Sequence, residues 1–262
     1  MSLRLVLKRI LTAFGIVGAA AASPSGQTTS GPYREDSANV IYQLLFCDRP
    51  QLFKQNHKGN LESPWSVIFS NAPDLEAIAK IAGDKHQESR VRALAFNALR
   101  AAGRPVAQKE YLGTVIEVRL PGGLDTLAVF ADGGARYINQ SGKIVVVEGT
   151  PNHFDNEIQK VVEASKPVIA AIGPWDKGRL PAPKEGNIRL TFLVSDGLYF
   201  GEGPMDAMQR ERIAAPLISA GTALLLKLVQ KTTSTEPGDP ATGKQPGRSE
   251  TNRASGAAGL RR

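Results

Sequence analysis

Hydrophobic spacing changes character along this chain. Through residues 36–102 apolar positions recur at three- and four-residue intervals, the period of helices that bury one stripe. Asp36 or Ser37 can cap a helix running to Cys47, and Asp48 and Pro50 mark the turn after it. Asn71, Ala72, Pro73 and Asp74 open a short helix through Ile81, with Pro73 in the first turn and Asp74 and Glu76 complementing the helix dipole. Gly83 ends it. A helix over 87–102 sets Val91, Leu94, Ala95, Leu99 and Ala102 on one side, with Gly103 as its C-cap.

From residue 112 the period drops to two. Ile116, Val118 and Leu120 alternate with Glu117 and Arg119, which predicts a strand with one face toward water. Pro121, Gly122 and Gly123 turn the chain into 126–131, and Asp132, Gly133 and Gly134 turn it into 135–140. Ser141 and Gly142 then lead into 143–148. Glycines in such turns supply the positive φ that tight hairpins need. Connections this short leave no room for crossover helices, so the strands are expected to be antiparallel and sequential.

Helical spacing returns after Thr150, Pro151 and Asn152. Phe154, Ile158, Val161, Val162 and Ile169 form a stripe suited to covering a sheet face, with Pro167 expected to kink or interrupt the helix. A strand over 187–194, an extended piece near 198–201 and a last helix over 204–230 complete the pattern. The predicted class is α+β. A four-stranded antiparallel β-meander at about 112–148 is extended by one or two later strands and packed against N-terminal and C-terminal helices.

The ends differ from this middle. Arg4, Lys8 and Arg9 precede an apolar run at 10–22, and Ala20, Ala21 and Ala22 stand before Ser23. That is the three-part layout of a secretory signal peptide, with an apolar part too short to span a bilayer. The alternatives are an uncleaved amphipathic extension, or a cytoplasmic protein with an over-extended start. Residues 23–34 compose as a linker. Residues 232–262, rich in Gly, Pro, Ser and Thr with Leu260 as a lone large apolar side chain, are expected to be a disordered tail. A single α+β domain is thus predicted over 35–231, between a signal peptide at 1–22 with its linker and that tail.

Charge looks informative until it is located. The net charge is +7 and the pI about 9.6, but residues 1–32 and 231–262 each carry +3, leaving +1 for the rest. A nucleic-acid binder needs its positive charge clustered on a folded face, so specific nucleic-acid binding is not expected. Cys47 is the one cysteine, which excludes an internal disulfide and a cysteine-based zinc site; in its apolar context it reads as a buried small hydrophobe.

His57, His86 and His153 lack metal-ligand spacing and read as exposed. Neither Gly142–Lys143 nor Gly243–Lys244 belongs to a phosphate loop, and no Gly-x-Ser-x-Gly elbow occurs. No cofactor is predicted. The segment 195–206 concentrates Asp196, Glu202 and Asp206 with three glycines between a strand and a helix, a place where a rigid loop can carry an acid/base pair or a hard cation. Turn formation by Asp196–Gly197 and dipole pairing by Asp206 explain the same residues without chemistry. The uncharged run 213–226 would span roughly 21 Å as a helix, short of the roughly 30 Å hydrocarbon core, and reads as a buried helix.

Three segments carry a resemblance: Tyr42 to Asp48, Ala93 to Asn97, and Arg136 to Lys143. Together they resemble a family of bacterial conserved hypothetical proteins over most of 36–230. The resemblance implies a bacterial source and a shared fold and brings no activity to any residue; the leader departs from a cytoplasmic pattern. The leading expectation is an exported, non-catalytic binding protein that uses the meander as a platform for a protein or peptide partner. The alternatives are a small hydrolase or metal-dependent enzyme built on Asp196, Glu202 and Asp206, and a peripheral membrane protein held by 213–226 or by the leader.

Overall fold

The computed structural model describes residues 31–56, 61–106 and 108–234. The segment expected as a signal peptide and most of the expected linker lie outside these residues, as do His57 and all of the expected tail except 232–234, which end the last helix. Five helices come first: α1 (Asp36–Leu44), α2 (Pro50–Asn56), α3 (Trp65–Ile68), α4 (Leu75–Gly83) and α5 (Ser89–Ala101). The meander follows as β1 (Tyr111–Leu120), β2 (Gly123–Phe130), β3 (Ala135–Ile138) and β4 (Ile144–Val147). Then come α6 (Asp155–Ala171), β5 (Asn187–Val194), β6 (Gly197–Pro204), α7 (Met205–Met208) and α8 (Ala214–Ser234).

The six strands form one sheet in the order β4-β3-β2-β1-β5-β6, every neighbouring pair antiparallel. The turns behave as their residues require. Gly123, Gly133 and Gly142 sit at φ 143°, 87° and 83°, conformations closed to most side chains. β5 joins the sheet beside β1 and β6 beside β5, so the meander's first strand becomes interior and its last, β4, stays at an edge.

Helices cover both faces of the sheet. Ile116, Leu127, Val129 and Tyr137 pack beneath α6 and α8, whose Ile158, Val161, Leu217 and Leu228 are buried against them. On the other face Val115, Leu124, Ala128 and Phe130 meet Tyr42, Leu94 and Leu99 of the N-terminal helices and Phe46 of the turn after α1. This overturns the expectation of a water-facing side on β1: Glu117 is 0% exposed. The alternation is real, but it separates two buried faces.

Local chemistry also moves several boundaries. Asp74 is the N-cap of α4, accepting from Glu76 and Ala77 N–H at 3.0 and 3.1 Å, so Pro73 falls outside the helix. The first helix stops at Leu44, short of the expected Cys47, which lies beyond it in a left-handed conformation, φ 53°. Pro167 does not interrupt α6, which continues to Ala171. The last helical region is two helices, α7 and α8, separated at 209–213, with Pro216 in the first turn of α8 where its missing N–H costs nothing. Tyr33, placed in the linker by composition, is a core residue whose hydroxyl lies 2.7 Å from Thr126 Oγ1.

Candidate functional site: an open sheet edge beside a polar cleft

The two edges of the sheet are finished differently. At β6 the chain between α6 and β5 wraps over the strand, and Trp175 N–H donates to Leu198 O at 2.7 Å. Arg179 of the same loop reaches α1 and the turn after it, donating to Asp48 Oδ2 at 2.7 Å and to Gln43, with its guanidinium 3.9 Å over the Phe46 ring. At β4, among the described residues, no strand pairs with the outer side. Ile144 points to the face of the N-terminal helices and Val145 and Val147 to the face of α6. Val146, opposite Arg136 in the ladder, is 52% exposed, one of two large apolar side chains left out among the described residues.

A cleft of about 1030 Å³ opens where β4 ends. The β2–β3 turn, the segment after β4, and the first turns of α5 and α6 form its walls. Asp132 ties the walls together: its Oδ2 accepts from Ser89 N–H at 2.7 Å and its Oδ1 from Gly134 N–H at 2.9 Å, while Ser89 Oγ accepts from Asp132 N–H at 3.0 Å. The cleft's charge comes from Lys85, Arg90 and Arg136 against Glu88, Asp132, Glu148 and Asp155. Burial, then repulsion from Arg90, lowers the Arg136 pKa from its ordinary value. His86 is on the rim and exposed, and His153 is exposed.

The acidic segment 195–206 does not gather into a site. Asp196 lies in the β5–β6 turn and accepts the Tyr199 hydroxyl at 2.8 Å. Glu202 stands six residues further along the extended chain, about 20 Å away by strand rise. It is held by Arg189 Nε and Nη2 at 2.8 and 2.6 Å and by Asn187 Nδ2 at 3.0 Å. Burial alone would raise its pKa, but Asn187 and Arg189 together outweigh that and lower it. Asp206 is beyond the strand, in the first turn of α7. Among the described residues no group of three or more His, Cys, Asp or Glu side chains is placed to hold a metal ion.

Glu202 belongs instead to a polar row that crosses the sheet. Thr126, Glu117, Arg189 and Glu202 are successive register partners on β2, β1, β5 and β6. Tyr42 of α1 donates to Glu117 Oε1 at 2.6 Å, and Arg189 Nη1 stands 3.8 Å from Glu117 Oε2, which has no hydrogen bond. Burial pushes the Glu117 carboxyl up, against the opposing pulls of Tyr42, Arg189 and Arg179. Near this row the cavity beside Trp175, Arg179 and Arg189 holds only about 10 Å³, at most one water. The row therefore reads as the polar seam of a three-layer fold.

No protein-family model, curated protein or solved structure matches this chain. The edge and its cleft must be judged on their own geometry.

Sequence reasoning missed the row because Glu117, Arg189 and Glu202 become neighbours only when β5 pairs with β1. It missed the cleft because its walls come from four turns and helix starts, each accounted for locally by folding. The one usable signal was Arg136, a charged residue among the apolar residues of a four-residue strand.

Proposed function

We propose that this is a non-catalytic binding protein, exported in a bacterium, that receives an extended segment of a protein or peptide partner along β4. The observation that supports this is the contrast between the two edges: β6 is overlaid by its own chain, while β4 presents an open edge with Val146 at 52% exposure. Unpaired edges recruit extended chains through main-chain hydrogen bonds, and proteins that do not use them blunt them with charge, proline or cover. β4 is Ile144, Val145, Val146 and Val147, with no charge and no proline. Since both sheet faces are filled by helices, the platform is the edge and not a face.

Export rests on the composition of residues 1–22, and the bacterial source on the resemblance over 36–230. The uncharged run 213–226 is spent inside the protein, since Leu217, Ile218, Leu224 and Leu225 are buried under the sheet. No helix among the described residues is long and apolar enough to cross a membrane.

The test is peptide display on the immobilised full chain, repeated on Val146→Lys. Selected peptides should slow amide exchange across 144–147 and lose binding to the variant. Peptides that bind both forms equally and leave that exchange unchanged would show that β4 is not the receiving edge.

A further inference from the structure

We infer that the chain's own C-terminal segment docks in the cleft at the end of β4, its basic residues 251–262 set against the acids there. Two observations point to this occupant: where the described chain stops, and how the cleft's charge is left. α8 runs back along α6 and ends where α6 begins. Lys227 donates to Glu157, and Lys231 Nζ lies 5.4 Å from the Phe154 ring, so the helix end at Ser234 projects past the first turn of α6. Asp155, Asn156 and Ile158 at the start of α6 line one wall of the cleft. The chain from 235 therefore leaves the fold at the cleft's rim. Residues 235–252 span at most about 60 Å when extended, which brings 253–262 within reach of every wall.

The cleft's charges do not cancel. Arg136 is paired with Glu148 and Arg90 with Glu88, which leaves Asp132 and Asp155 against Lys85. Asp132 accepts from two backbone N–H groups, which orient it without removing its charge. Asp155 Oδ2 accepts from Asn152 N–H at 3.0 Å and the Thr150 hydroxyl at 3.1 Å, while its Oδ1 is buried with no hydrogen bond. The Glu148 and Glu88 side chains remain 69% and 60% exposed, and a carboxylate paired on one side accepts further donors on the other. Against these acids residues 251–262 bring Arg253, Arg261 and Arg262 and no acid of their own. A guanidinium presents its donors in a fixed fork that matches a carboxylate. A segment too polar to bury a core can still order itself on a partner surface through such pairs. On the β4 reading, on which this consequence alone rests, the docked segment stands in the path of a received chain and regulates access to the edge.

The test uses the full chain with Ser255→Cys carrying a nitroxide label; Cys47 is buried, so the reagent finds one site. At low salt the amide resonances of 132–134 and 148–156 should broaden. That broadening should be lost at about 1 M salt, where the Debye length falls to about 3 Å. It should be lost equally when Arg253→Gln, Arg261→Gln and Arg262→Gln are combined in the labelled chain. A segment that is only tethered nearby would broaden the same amides in all three conditions, and that result overturns the inference. Absence of broadening at 132–134 and 148–156 overturns it as well. Broadening that grows with protein concentration would assign the occupant to a second copy and overturn docking within one chain. None of these outcomes touches the β4 edge itself, which the peptide experiment tests separately.

Discussion

Tyr42 donates its phenolic hydrogen to Glu117 Oε1 at 2.6 Å, joining the first helix to the central strand of the sheet inside the core. Because Glu117 Oε2 has no hydrogen bond, this contact is the one that satisfies the carboxyl. Tyr42→Phe keeps the ring, with its edge contacts to Tyr33 and Phe46, and removes only the hydroxyl. It should destabilise the protein by about 1–3 kcal/mol, the cost of stranding a buried acceptor. Urea unfolding measures this, and a loss within a few tenths of a kcal/mol would refute the assigned role.

The same carboxyl predicts a pH dependence. Burial holds Glu117 above its ordinary 4.5, so between that value and its folded-state value the folded protein keeps a proton that the unfolded chain has released. Its contribution to stability is therefore fully present below about pH 4.5 and is lost as pH rises through the folded value. Glu117→Gln, neutral throughout, should gain on the wild type as pH increases. Comparing the two unfolding midpoints across the acid-to-neutral range tests this; a constant difference rejects it.

Arg179 clips the 172–186 loop to α1 and the turn after it through Gln43, Asp48 and the Phe46 ring. Arg179→Ala should raise amide exchange across 173–180 by at least about tenfold, equivalent to about 1.4 kcal/mol of local opening. Exchange across β2 should stay as it is. If the loop's exchange is unaffected, the clip is not what holds it over the β6 edge.

Gly123 closes the β1–β2 hairpin at φ 143°, and a Cβ there would stand 3.1 Å from Gln140 Cβ. Gly123→Ala should cost about 1–3 kcal/mol through backbone strain. Thermal unfolding at fixed pH reads the loss, and an unchanged midpoint would mean that the turn relaxes without strain.

Cys47 is fully buried, and burial pushes its thiol far above the ordinary range, so no thiolate forms near neutral pH. A thiol-alkylating reagent should leave the native protein unlabelled and label it once in denaturant. Rapid native labelling would place the thiol in an open environment.

Much of this architecture was legible along the chain. The meander's strands and turns follow from a period of two broken by glycines at 123, 133 and 142, because only glycine takes those backbone angles without strain. The helix stripes at 91–99 and 154–169 likewise announced which sides would be buried, and Cys47 was recognisable as core from its apolar neighbours. Local stereochemistry governs these features, and a local reading suffices for them.

What only the tertiary structure decided is how strands distant in sequence meet. Pairing β5 with β1 put Arg189 opposite Glu117, and pairing β6 with β5 put Glu202 opposite Arg189. A glutamate that alternates toward water in sequence thus became a buried member of a charged row, and a residue set aside for possible chemistry became its neighbour's counter-ion. Insertion of β5 beside β1 also left β4 at the edge, with the polar cleft at its open end. The reason is physical: alternation records which residues share a face, whereas burial and partnership depend on what other segments bring to that face.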